Sequence, residues 1–221
     1  MSKELVIGNT YHRQLSIFNP EDCQLPVVIL GAGMIGSTSA LLLSKLGIED
    51  ITVYDGDMIE EHNFPNQMYP KTALGKNKAA ALSEIIKEWT YTKMVPIEEY
   101  WDNNCLEGIV ISAVDSLKTR QKIWEKCKYS MQVDLFIDGR IGGQQVSVYT
   151  IDPKDYDDAK FYESTLVKKA ADLPCTERGV IDVSFFCASI ITRQAREYLV
   201  NKKILGRNTV LDASEMRLFM S

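Results

Sequence analysis

The feature that most constrains this chain is a six-residue turn, Gly31-Ala32-Gly33-Met34-Ile35-Gly36, set between an apolar run and a helical stretch. Val27 to Leu30 is uninterrupted apolar sequence and reads as a buried strand. Ile35 to Leu46 has helical composition and stops at Gly47, a residue suited to a helix C-cap. A strand that passes through small residues into a helix presents free N–H groups and the positive end of the helix dipole. Small residues also let a phosphate approach the backbone. Ile51 to Tyr54 reads as a second strand, closed by Asp55, where an acid can hold a ribose hydroxyl. A nucleotide is therefore the expected ligand, with Gly31, Gly33 and Gly36 around it. The turn by itself does not separate ATP from NAD.

The remaining pattern places that turn in a fold. Asp57 to Leu74 is a long polar loop, and loops of that length in compact domains are usually functional. Lys76 to Trp89 reads as a helix, Met94 to Ile97 as a strand, Gly108 to Val114 as a strand ending at Asp115, and Leu117 to Cys127 as a helix. Val133 to Ile137 reads as a strand and Gln145 to Ile151 alternates like a half-exposed one. Asp152 to Asp172 is charged and poorly patterned, which predicts a crossing loop. Ser184 to Val200 reads as a helix, with closing strands at Val210 to Leu211 and Arg217 to Met220. Strand and helix alternate in the first half, which predicts an α/β fold with a Rossmann-like doubly wound sheet, parallel first and mixed later. The expected organisation is one domain: an N-terminal arm (1–24), a nucleotide-binding core (25–150), a crossing loop (151–183), and a closing helix and strands (184–221).

Two further residues favour ATP. Lys78 opens the helix after the long loop and can neutralise triphosphate charge; Asp115 ends the fourth strand and can hold Mg²⁺ as a hard oxygen ligand. Both are expected at the carboxyl edge of the sheet, where ligands bind in such folds. A net charge of -5 over 221 residues argues against nucleic acid as the main partner. No apolar run is long enough to span a bilayer, and Met1 to Thr10 lacks a signal-peptide core, so a cytoplasmic protein with no membrane partner is expected. Five cysteines without a C-x-x-C pair argue against a disulfide framework and against structural zinc. His12 and His62 suggest neither a metal site nor a triad. Trp89, Trp101 and Trp124 read as packing residues, and Cys105 and Cys187 as core.

Taken in order, these segments resemble the ThiF/MoeB/HesA family. The stretch VVILGAGMIGSTSALLLSKLGIEDITVYDGDMIEEHNFPNQ looks like the family's nucleotide-binding segment, including D-x-D after the second strand and N-x-x-x-Q in the loop. LGKNKAAAL is similar to its G-x-x-K segment, ISAVDSLKTR to its D-x-x-x-x-R segment and YHRQLSIF to its R-Q element; CTERGVIDVSFFCASIITRQAREYLV resembles its later C-x-x-x-G-V turn and helix. The resemblance implies ATP-dependent adenylation of the C-terminal carboxylate of a small ubiquitin-like or sulfur-carrier protein. It implies that Gly31, Gly33 and Gly36 cradle the nucleotide, that Asp55 of the Asp55–Asp57 pair holds the ribose, and that Asn63 and Gln67 reach the phosphates. It further implies that Lys78 contacts phosphate, that Asp115 binds Mg²⁺, and that Arg13 reaches across a homodimer to the partner's γ-phosphate. Other members act on peptides or tRNA, and a partner-binding pseudo-subunit is also compatible.

Three departures from the family stand out. Asn66 occupies the place of an arginine before the loop glutamine, Ser116 replaces the usual asparagine after the metal aspartate, and the zinc-binding cysteine pairs are missing. Cys175 falls where some relatives carry a reactive cysteine, and Arg178 could lower its pKa, making it a candidate nucleophile.

Overall fold

The computed structural model describes residues 10–22, 25–167 and 179–221. Eight strands form one sheet: β1 (Val27–Leu30), β2 (Ile51–Tyr54), β3 (Val95–Ile97), β4 (Gly108–Ser112), β5 (Val133–Gly142), β6 (Gln145–Ile151), β7 (Asn208–Asp212) and β8 (Arg217–Met220). Their order is β3-β2-β1-β4-β5-β6-β7-β8. The first five in that order pair in parallel, and the last three continue antiparallel. Every residue of β1 and β4 is buried, which is why both read as unbroken apolar runs: a central parallel strand is covered on both faces. Pro96 sits in the short edge strand β3, where a missing N–H costs no ladder bond.

The chain runs outward from β1 to β2 and β3, then crosses back to place β4 on the other side of β1. This reversal opens a crevice at the carboxyl ends of β1 and β4, the place where doubly wound sheets bind ligands. Helices α1 (Met34–Leu46), α2 (Lys78–Trp89) and α5 (Ile181–Asn201) cover one face, and α3 (Leu117–Cys127) and α4 (Tyr156–Ser164) the other. Gly139 lets α1 and α5 close onto β5, since a Cβ there would lie 3.0 Å from Ile191 and 3.1 Å from both Cys187 and Ile35. Among the described residues, no helix is long and apolar enough to cross a membrane.

The structure departs from the sequence reading in four places. The stretch expected as a crossing loop contains α4, capped by the Asp155 side chain, which accepts the Asp158 N–H at 2.9 Å. Its charged surface hides a two-residue inner stripe, Ala159 and Tyr162, that is fully buried. Strand β5 runs on to Gly142 and turns into β6 as a hairpin, so it is twice the expected length. Cys105 is exposed rather than core, with Sγ 3.6 Å from Gln132 Oε1, because it lies in the loop before β4 and not on it. Trp124 is buried as expected, but Trp89 ends α2 about half exposed.

Candidate active site

The glycine turn owes its shape to close backbone approaches. Gly31 has φ +98°, and a Cβ there would lie 2.7 Å from the Ala113 carbonyl oxygen, so only glycine lets the turn after β1 pass the end of β4. A Cβ on Gly36 would fall 1.8 Å from the Gly31 oxygen. Gly33, the N-cap of α1, is different: a Cβ there meets nothing within 4 Å. The side-chain position at the N-terminus of a 13-residue helix is therefore open, next to backbone N–H groups that have no intrahelical partner.

Asp55 lies beneath this turn and is almost fully buried. Its Oδ2 accepts the Ala32 N–H at 2.6 Å and its Oδ1 the Asp57 N–H at 2.8 Å, so one carboxylate ties the β1 turn to the β2 turn. Burial pushes its pKa up, against those two hydrogen bonds. The Tyr69 hydroxyl donates to the Ala32 carbonyl from the other side, and burial pushes this phenol well above its ordinary value. Asn77 caps α2 by accepting the Ala80 N–H, and its amide donates to the carbonyls of Asp55 and Asp57. That cap fixes Lys78, whose Nζ lies 2.8 Å from Asp57 Oδ2. Asp57 Oδ1 accepts the hydroxyl of Tyr100, and this bond raises the phenol to about 12. Asp115 follows β4 and is exposed on the same edge, within electrostatic reach of Tyr100 and Arg120.

The structure thus brings Gly31, Gly33, Gly36, Asp55, Asp57, Lys78 and Asp115 to one edge. Tyr69, Asn77 and Tyr100 join them without having been singled out in the sequence. Asn77 carries the one local signal that could have found it, a cap-type residue just before a helical run. Tyr69 and Tyr100 arrive through the fold alone.

A profile of the ThiF family matches residues 11–220. The chain belongs to the ThiF family. The Zea mays adenylyltransferase and sulfurtransferase MOCS3-1 is 31% identical over 114 residues, which cover 47% of this chain and 24% of that protein. Ubiquitin-like modifier-activating enzyme 5 of Dictyostelium discoideum is 31% identical over 93 residues, 39% of this chain and 24% of that protein. The matched part thus spans about a quarter of these curated relatives. Among solved structures, PaaA superposes with a TM-score of 0.79 at 19% identity, covering 100% of this chain and 74% of that one. E. coli MccB with AMPCPP and MccA gives 0.77 at 16% identity, covering 100% and 73%. Those identities speak for a common fold.

Other ThiF-family positions fall as follows. Asn63 is buried, and its Oδ1 accepts the Glu60 N–H at 2.9 Å in a capping box around a single 3-10 turn. Its backbone carbonyl accepts the N–H groups of Asn66 and Gln67. The side-chain oxygens of Asn66 and Gln67 are buried without a hydrogen-bond partner among the described residues. Arg13 is exposed on an arm whose Gln14 side chain donates to the Leu46 carbonyl at 2.8 Å and whose Phe18 is buried. Cys175, with Arg178, lies outside the described residues. The arginine of the D-x-x-x-x-R segment, Arg120, points into the protein and pairs with Asp138.

Proposed function

We propose that this chain uses ATP and Mg²⁺ to adenylate the C-terminal carboxylate of a small ubiquitin-like or sulfur-carrier protein. The observation that carries this reading is the meeting of the open glycine turn, the Asp57–Lys78 pair and the exposed Asp115 on one sheet edge. One feature fits ATP directly: the open side-chain position of Gly33 at a helix N-terminus, where backbone N–H groups can donate to phosphate oxygens. Asp115 fits Mg²⁺, which usually takes one or two carboxylates and completes its shell with phosphates and water.

The proposed roles follow from chemistry. Backbone N–H groups of the turn bind phosphate oxygens, and Asp55 holds the ribose while bracing Ala32. Lys78 leaves Asp57 for the phosphates, to which its charge is better matched. Asn63 shapes the loop that carries Gln67. Mg²⁺ held by Asp115 would supply positive charge against that developing on phosphate as the substrate carboxylate attacks the α-phosphorus and pyrophosphate leaves. Cys175 is a candidate for accepting the acyl group.

A homodimer is part of the proposal. The arm bonds to the last residue of α1, whereas Gly33 caps the first, and 13 residues of helix span roughly 20 Å. Arg13 is thus too far to serve its own subunit's turn, but it suits reciprocal donation across a two-fold. A peptide substrate is the second reading, favoured by the fold match, over the whole of this chain and 73% of the other, to MccB, a structure solved with MccA.

ATP–pyrophosphate exchange with candidate carriers and short peptides tests both readings. Exchange driven by a carrier supports the first, and exchange driven only by peptide replaces it with the second. Failure of the chain to bind ATP defeats both. In the same assay, Arg13→Ala and Asp115→Ala should each lose exchange, and co-refolded heterodimers should regain part of it.

A further inference from the structure

We propose that Arg120 and Asp138 are positioning residues for the Asp115 metal site: the guanidinium, braced by the buried carboxylate, grips the Val114 carbonyl and fixes the chain where Asp115 leaves the sheet. This rests on the reading that Asp115 takes Mg²⁺.

Arg120 projects from the first turns of α3 and is buried. One of its terminal nitrogens donates to Asp138 Oδ1 and the other to the Val114 carbonyl. Asp138 is fully buried in β5 and stands in register with Ser112, the last residue of β4. Its carboxylate therefore lies beside the end of the strand that leads to Asp115. The second oxygen, Oδ2, accepts Arg140 Nε at 2.7 Å and the Tyr162 hydroxyl at 2.9 Å. Arg140 in turn donates to the Thr165 carbonyl at 3.2 Å and hydroxyl at 3.1 Å. With both oxygens bonded, the carboxylate has one orientation, and it hands that orientation to Arg120.

On the other side of Asp115, the Ser116 hydroxyl caps α3 by accepting the Thr119 N–H at 3.3 Å. The residues before and after Asp115 are thus both tied down, while Asp115 itself faces solvent. An aspartate on a fixed backbone loses less freedom on binding a cation than one on a loose turn. Arginine is required because its fork reaches two acceptors at once; a lysine ammonium on the same stem cannot hold both in that geometry. Core sealing does not account for the cluster. Apolar side chains of similar volume would fill the layer beside Trp124 and Phe136 without burying three charges.

The test is calorimetry of ATP binding in EDTA and in Mg²⁺, on the wild-type chain, Arg120→Lys, Asp138→Asn and Asp115→Asn, with thermal melts to confirm folding. In the wild type, Mg²⁺ should tighten binding, and Asp115→Asn should remove that gain. Arg120→Lys should bind ATP normally in EDTA yet about tenfold more weakly in Mg²⁺. Asp138→Asn should move in the same direction, and it decides the matter if Arg120→Lys does not fold. A folded variant that keeps the whole Mg²⁺ gain overturns the positioning role and leaves adenylation standing. A wild type that does not respond to Mg²⁺, or an Asp115→Asn that still does, removes the metal role of Asp115 and this inference with it.

Discussion

Two carboxylates on this sheet edge hold cations in opposite ways. Asp57 pairs with Lys78 and Tyr100 while its side chain stays 46% exposed. Asp138 holds Arg120, Arg140 and Tyr162 with its side chain fully enclosed. The first pair is open on its carboxylate side, where water reaches Asp57 although the Lys78 side chain is only 10% exposed, so it can change partners there. The second cannot, because taking away Asp138 leaves the buried Arg120 guanidinium without its counterpart. Accessible ion pairs at a cleft are thus places to look for binding, and sealed ones are the frame that keeps such places in shape. The sequence offers no hint of this split, since the burial of neither acid can be read from its neighbours.

The largest effect should come from breaking the sealed cluster. Asp138→Leu leaves two guanidinium groups around an apolar side chain and should cost on the order of 3–5 kcal/mol. At this chain length that lowers the melting temperature by roughly 10 °C. Lys78→Ala, on the open pair, should shift it by far less. Equal losses in the two melts would erase the distinction drawn between the clusters.

A smaller and more local contrast lies within the glycine turn. Gly36→Ala drives a Cβ into the Gly31 oxygen and should destabilise the fold, whereas Gly33→Ala projects into open space and should fold normally. What Gly33→Ala should lose is nucleotide affinity, since its methyl occupies the space over the helix N-terminus. Calorimetry with ATP on the folded Gly33 variant checks this; wild-type affinity there would mean the phosphates sit elsewhere.

The smallest effect is a titration. Partial burial works to raise the Asp57 carboxyl, but the hydrogen bonds from Lys78 and Tyr100 outweigh it and hold the pKa below its ordinary value. A depressed carboxylate contributes its stabilisation fully above the unfolded pKa, about 3.9, and loses it as pH falls through the lower folded value. The carboxyl carbon of Asp57, followed by NMR, should therefore titrate below about 3.9 in the wild type and higher in Lys78→Ala. Identical midpoints in the two proteins would show that the open pair does not form in solution.

Much of the frame was legible. β1 and β4 are continuous apolar runs, α3 matches its predicted span, and Gly47 ends α1 in the left-handed conformation that its identity suggests. Glycine and apolar runs act locally, so they survive in a one-dimensional reading. α4 did not, because only Ala159 and Tyr162 of its nine residues are buried and charge dominates its composition. Cys105 was misread because an exposed loop before a buried strand looks the same in sequence as the strand's own start.

Sequence by itself determined that a strand, a glycine turn and a helix would follow one another, that an acid would close the next strand, and that Lys78 and Asp115 would each stand next to a helix start. Those are statements about residues within a few positions of each other, governed by backbone sterics and capping. Only the tertiary structure decided which of them meet. The crossing from β3 back to β4 brings Asp115 to the glycine turn, and the register of β5 against β4 sets Asp138 beside the strand end that Arg120 holds. Partners so far apart in the chain are chosen by sheet order and burial, which no local pattern encodes.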